Sequence, residues 1–139
     1  MQKIVVNRCY GGFGLSLKGE EYYLNLIGKE AYFYKQTKYA HKDGSDEYVR
    51  VEPVERDLMI YTVTIDLGEK TNYLPDENCW YSGGLVRNDP NLIKTVEALG
   101  KDANGWAADL EIVEIPDGVK WEIEEYDGKE WISEVHQTW

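Results

Sequence analysis

The chain reads as an α+β fold. It is a single domain over residues 1–139, with two helices packed on a mostly antiparallel sheet and a C-terminal three-strand meander. Three observations predict this. Two segments carry an apolar stripe at helical spacing between an N-cap residue and a glycine stop. The remaining ordered segments are short, β-branched or aromatic, and bounded by turn formers. The last third alternates apolar with polar residues, as strands with one buried face do. A doubly wound parallel sheet fits neither the length nor the pattern.

Ile4–Asn7 is the first strand. Gly11, Gly12 and Gly14 make a tight loop, and Ser16 caps a helix with apolar positions Leu17, Tyr23, Leu24 and Ile27, closed by Gly28. Gly19 weakens that helix slightly. Ala31–Lys35 is a strand, and Lys38–Asp46 is a polar loop turning at Asp43-Gly44. Glu47–Val51 alternates like a strand and ends near Pro53. Leu58–Leu67 carries the strongest strand signal, being β-branched and aromatic without proline. Gly68–Gly84 is a loop holding Trp80 and Tyr81. Asp89 and Pro90 then start a helix with face Leu92, Ile93, Val96 and Leu99, stopped by Gly100. The meander follows as Leu110–Ile115, Val119–Tyr126 and Glu130–Gln137, with turns at Pro116-Asp117-Gly118 and Asp127-Gly128.

Composition narrows the function classes. At 139 residues and 42% hydrophobic, the chain can bury a core, so wholesale disorder is excluded. Eleven Tyr and five Trp against two Phe favour rings with a polar handle, which suit half-wet sites and interfaces. The formal net charge of −11 repels phosphate backbones, so direct nucleic-acid binding is not expected. The same charge suits a solvated surface or a partner with a basic groove. Residues 109–134 hold ten carboxylates against two lysines, so much of this acidity falls on the meander's outer face. No apolar run approaches the roughly 20 residues of a membrane span, and the start, MQKIVVNRCYGG, lacks a secretory apolar region. A cytoplasmic setting with Cys9 and Cys79 reduced is the expectation, and a disulfide between them has no support.

Segments at both ends carry a resemblance. Residues 4–16 (IVVNRCYGGFGLS), 87–100 (RNDPNLIKTVEALG), 110–131 (LEIVEIPDGVKWEIEEYDGKEW) and 136–139 (HQTW) resemble a family of small phage and prophage proteins, while residues 29–86 match nothing in it. The resemblance implies a viral or prophage origin and a role against a host system, and brings no activity with it. Gln137 stands where the resembling proteins often carry Arg, which removes a cation beside His136.

Several residues are candidates for chemistry, each with a structural reading beside it. Gly11, Gly12 and Gly14 with Phe13 sit between a strand and a helix start, where backbone N–H groups can hold an anion with Arg8 beside them and Tyr10 or Phe13 stacking. The other reading is a plain tight turn, since Leu17 replaces the third glycine of a dinucleotide fingerprint. Arg87 lies at the positive end of the second helix, free for an anion or paired to a surface carboxylate. His136, near Trp139, can donate to a ligand or act as a base; a lone histidine is more often structural. His41 sits in a polar loop, and neither histidine has the partner spacing of a metal site. Neither metal nor cofactor is expected. Three functions remain: a non-catalytic protein sequestering a nucleotide-like ligand against a host system, an acidic inhibitor of a nucleic-acid-binding host protein, and, weakest, a small hydrolase using Cys9 or His136. A homodimer is compatible with each.

Overall fold

A computed structural model describes residues 1–39 and 46–135. It contains β1 (Gln2–Asn7), α1 (Leu17–Leu26), β2 (Tyr32–Lys38), β3 (Glu47–Arg50), β4 (Ile60–Val63), β5 (Lys70–Thr71), α2 (Pro90–Leu99), β6 (Leu110–Ile115), β7 (Trp121–Tyr126) and β8 (Lys129–Glu134). The strands form three antiparallel sheets: β1–β6, the four-stranded β4–β2–β3–β5, and the hairpin β7–β8.

Both helices begin and end where their local chemistry directs. The Ser16 hydroxyl accepts from Gly19 N–H at 2.9 Å, satisfying an N–H that lacks a helical partner. Gly28, at φ +80°, closes α1: its own N–H reaches Asn25 O and the next, Lys29 N–H, reaches Leu24 O. Gly19 is buried, and an added Cβ would stand 3.2–3.3 Å from Ser16, Ala103 and Leu15 atoms. The glycine that weakens the helix in isolation thus lets residues 100–103 pack close to it. Asp89 caps α2 through Asn91 N–H at 2.8 Å and also accepts the Tyr23 hydroxyl at 2.6 Å, so one carboxylate joins both helices. Burial, then that carboxylate, pushes the Tyr23 phenol up to about 12, which keeps it a donor.

Two apolar clusters fill the interior. Val5, Leu15, Tyr23, Leu92, Val96 and Ala103 form one, with Phe13 and Trp80 packed against it. Tyr34, Val63 and Leu74 form the other under the four-stranded sheet. The helix stripes are Tyr23 and Leu24 on α1, and Leu92 and Val96 on α2, while Ile27 stays exposed.

Two segments differ from the sequence expectation. The strand signal over Leu58–Leu67 yields only β4, because the ladder with β2 ends at Val63 and Thr64 N–H turns to Asn78 O instead. The three C-terminal strands do follow one another, but β6 ladders with β1, from Gln2↔Ile115 to Asn7↔Leu110, and not with β7. The Gln2 side-chain amide spans the connecting turn, donating to Pro116 O and Val119 O at 3.0 Å each. The β7–β8 hairpin turns at Asp127 (φ +51°) and Gly128 (φ +90°), the pair of positive angles a two-residue turn demands.

Side chains fasten that hairpin to β1. Asn7 is fully buried; its amide donates to Gly128 O at 2.8 Å and its carbonyl accepts Asp109 N–H at 2.8 Å. Its backbone N–H donates to the Glu130 carboxylate at 2.8 Å. Among the described residues no helix is long and apolar enough to cross a membrane.

Candidate functional site

The glycine loop is largely consumed by its own fold. Gly12 N–H donates to Ala107 O at 3.0 Å, Leu15 N–H to the Ser82 hydroxyl at 3.0 Å, and Ser16 N–H to Ala103 O at 2.9 Å. Gly14 O accepts Gly105 N–H at 2.9 Å. The glycines serve close backbone approach: a Cβ on Gly11 would lie 2.1 Å from Ala107 O, and one on Gly128 would lie 2.2 Å from Gly11 O. Of the three glycine amides, Gly12 N–H is thus taken up by the fold, and the loop is joined to residues 103–107 and to the hairpin turn.

Arg8 and Arg87 both reach Glu130, Arg87 at its carboxylate and Arg8 at its backbone carbonyl. Arg87 makes a two-pronged ion pair with Glu130, at 2.5 and 2.8 Å, with both side chains largely buried. Its guanidinium lies 3.6 Å from the Phe13 ring centroid. Arg8 donates to Glu111 at 2.7 Å and to Glu130 O at 3.2 Å. Arg87 is thus neither a ligand cation nor a surface arginine; it ties the start of α2 to β8. Tyr10 is 67% exposed, with Lys129 Nζ 5.5 Å from its ring. Cys9 and Cys79 are both free thiols, and Cys9 Sγ donates to Ala107 O. His41, His136 and Trp139 lie outside the described residues.

Three features stand out, and the sequence anticipated only the acidity of the first. The first is the wet face of the hairpin. Residues paired across the strands share a face, so Glu122, Glu124, Tyr126, Lys129, Trp131 and Ser133 point one way. Tyr126 is 71% exposed and Trp131 40%. Glu124 accepts from the Trp131 indole N–H at 2.9 Å and from Ser133, which fixes the indole in place. Tyr10, through Lys129, continues this aromatic surface. Glu122, Glu125, Asp127 and Glu134 have no cationic partner among the described residues.

The second is Glu20, which α1 places against β4. Burial pushes its carboxyl up to about 7; a hydrogen bond from Thr62 opposes this and the Glu55 charge adds to it. The folded protein therefore holds this proton more tightly than the unfolded chain, whose value is near 4.5. Stability is highest below that lower value and falls as pH rises toward 7, at most by about 3 kcal/mol. Glu20→Gln should remove this cost, raising stability by up to about 3 kcal/mol at pH 8 and little at pH 4.5. Urea unfolding at the two pH values measures it.

The third is a cleft of about 380 Å³ between the start of α1, residues 101–108 and the 55–56 turn, with Trp106 on its wall. A second groove of about 490 Å³ lies between Trp106 and the glycine loop. Compared with protein-family models, curated proteins and solved structures, the chain shows no match, so its function is read from this geometry.

Proposed function

We propose that this chain is a non-catalytic, phage-encoded inhibitor that blocks a nucleic-acid-binding host protein with the wet face of its β7–β8 hairpin. The observation that carries the reading is the composition of that face: Tyr126, Trp131 and Tyr10 exposed beside Glu122 and Glu124, which form no ion pair among the described residues. Water-facing strand positions ordinarily carry polar residues, whereas Tyr and Trp are enriched where proteins meet. The carboxylates suit a groove built to hold phosphates, and would steer the encounter. The viral origin rests on the resemblance of both ends to phage and prophage proteins. Sequestration of a nucleotide-like ligand at the glycine loop is less well supported, because Glu130 already neutralises Arg87 and the Gly12 amide is engaged by Ala107 O.

The test is capture of nucleic-acid-binding proteins from a host lysate on the immobilised chain. Capture should fail above about 0.5 M salt, where the screening length drops to a few ångströms, and duplex DNA should compete. Tyr126→Ala with Trp131→Ala should abolish capture while leaving circular dichroism unchanged. Capture indifferent to salt and to DNA would refute the reading.

A further inference from the structure

We infer that the cleft walled by Trp106, Arg56 and Lys101 binds a small ring-bearing phosphomonoester of the nucleoside monophosphate class. This site shares no residue with the hairpin face and stands apart from the inhibitor reading. At about 380 Å³ it lies within the range of ligand pockets, roughly 300–1,000 Å³.

Its aromatic wall is exposed yet firmly mounted. Trp106 is 66% exposed. The backbone beside it is pinned by Gly105 N–H to Gly14 O at 2.9 Å and Ala108 N–H to Gly105 O at 3.0 Å. A Cβ on Gly105 would lie 2.9 Å from Gly14 O, so the approach needs glycine. The backbone that carries the indole is thus preorganised, which lowers the ordering cost on binding. A recess of about 180 Å³ opens from the same wall, where Leu17, Leu58 and Ile60 give a ring apolar contact beside the Glu20, Glu55 and Asp57 carboxylates.

The cations are the second argument. The chain has four arginines among 26 carboxylates. Arg8, Arg50 and Arg87 form ion pairs; Arg56 has none among the described residues. Arg56 also sits at φ +69°, a left-handed conformation unusual for a side-chain-bearing residue, which costs energy and concentrates at functional positions. Lys101, on the same cleft, likewise has no ion pair among the described residues, and Lys18 reaches Asp102 only at 3.8 Å.

Charge balance sets the ligand class. Glu55 and Asp102 also line the cleft, and Leu17 N–H and Lys18 N–H each donate to the Glu55 carboxylate at 3.0 Å. Lys18, Arg56 and Lys101 therefore stand against two carboxylates, an excess of one positive charge. That excess suits a single phosphate monoester, whose charge near neutrality is about −1.5 to −2, and is too small for a polyphosphate.

Calorimetry on the full chain tests this with AMP, GMP, CMP and UMP, and with adenosine and inorganic phosphate as separate arms. At least one monophosphate should bind, and adenosine and inorganic phosphate should each bind more than tenfold more weakly. Arg56→Gln and Trp106→Ala should each weaken the monophosphate at least tenfold with circular dichroism unchanged, whereas Tyr126→Ala should not. Absence of heat from all four monophosphates overturns the inference. So does unchanged affinity in both cleft variants, or inorganic phosphate binding as tightly as the monophosphates.

Discussion

Gly128→Ala should unfold the protein or leave it barely folded. Gly128 sits at φ +90°, where a side chain costs about 1–2 kcal/mol. The larger cost is steric. The new Cβ would fall 2.2 Å from Gly11 O, 2.6 Å from its carbonyl carbon and 2.7 Å from its nitrogen, all backbone atoms that cannot rotate aside. Relief requires the hairpin turn to withdraw from the glycine loop, which strips Gly128 O from buried Asn7. The combined loss should exceed about 4 kcal/mol, a size reached only by disruptions of this kind and close to the whole stability of many domains. Gly118→Ala is the control: it too has positive φ, +83°, but its Cβ would meet open space, so only about 1–2 kcal/mol should be lost. Urea midpoints of the two variants, or failure of the first to accumulate in soluble form, decide the matter.

Arg87→Ala should cost about 3–5 kcal/mol, because it leaves the Glu130 carboxylate buried without its cation. Arg87→Met combined with Glu130→Gln should recover much of it. Gln keeps an acceptor for Asn7 N–H, and Met restores contact with the Phe13 ring where the guanidinium now lies. A double variant no more stable than Arg87→Ala alone would mean that the pair's charge is not what holds α2 to the hairpin.

Features that depend on a few neighbouring residues were legible in the sequence. Ser16, Gly28, Asp89, Pro90 and Gly100 mark the helix ends because capping is decided within one turn. Strand partners were not, since alternation in Leu110–Ile115 states that a strand exists and not that β1 completes it. Arg87 shows the same limit: beside a helix start it looks free, and nothing nearby announces Glu130. Glu20 reads as a solvated helix residue until β4 brings Thr62 over it. Trp106 carried a usable signal, a large ring beside the Asn104-Gly105 turn pair, whereas the left-handed angle of Arg56 contradicts the usual preference of arginine. The wet aromatics of β7–β8 required the cross-strand register, which fixes the face each side chain takes.

The pairing of β1 with β6 has a consequence for biogenesis. On the ribosome, at roughly 5–20 residues per second, Ile4, Val5 and Val6 emerge several seconds before Val113, Ile112 and Glu111, the residues they pair with. Throughout that interval the edge of β1 lacks its ladder, although Leu15 and Tyr23, and later Leu92 and Val96, can cover Val5. A message truncated before codon 110 should therefore release a polypeptide with an unpaired strand edge, prone to clump.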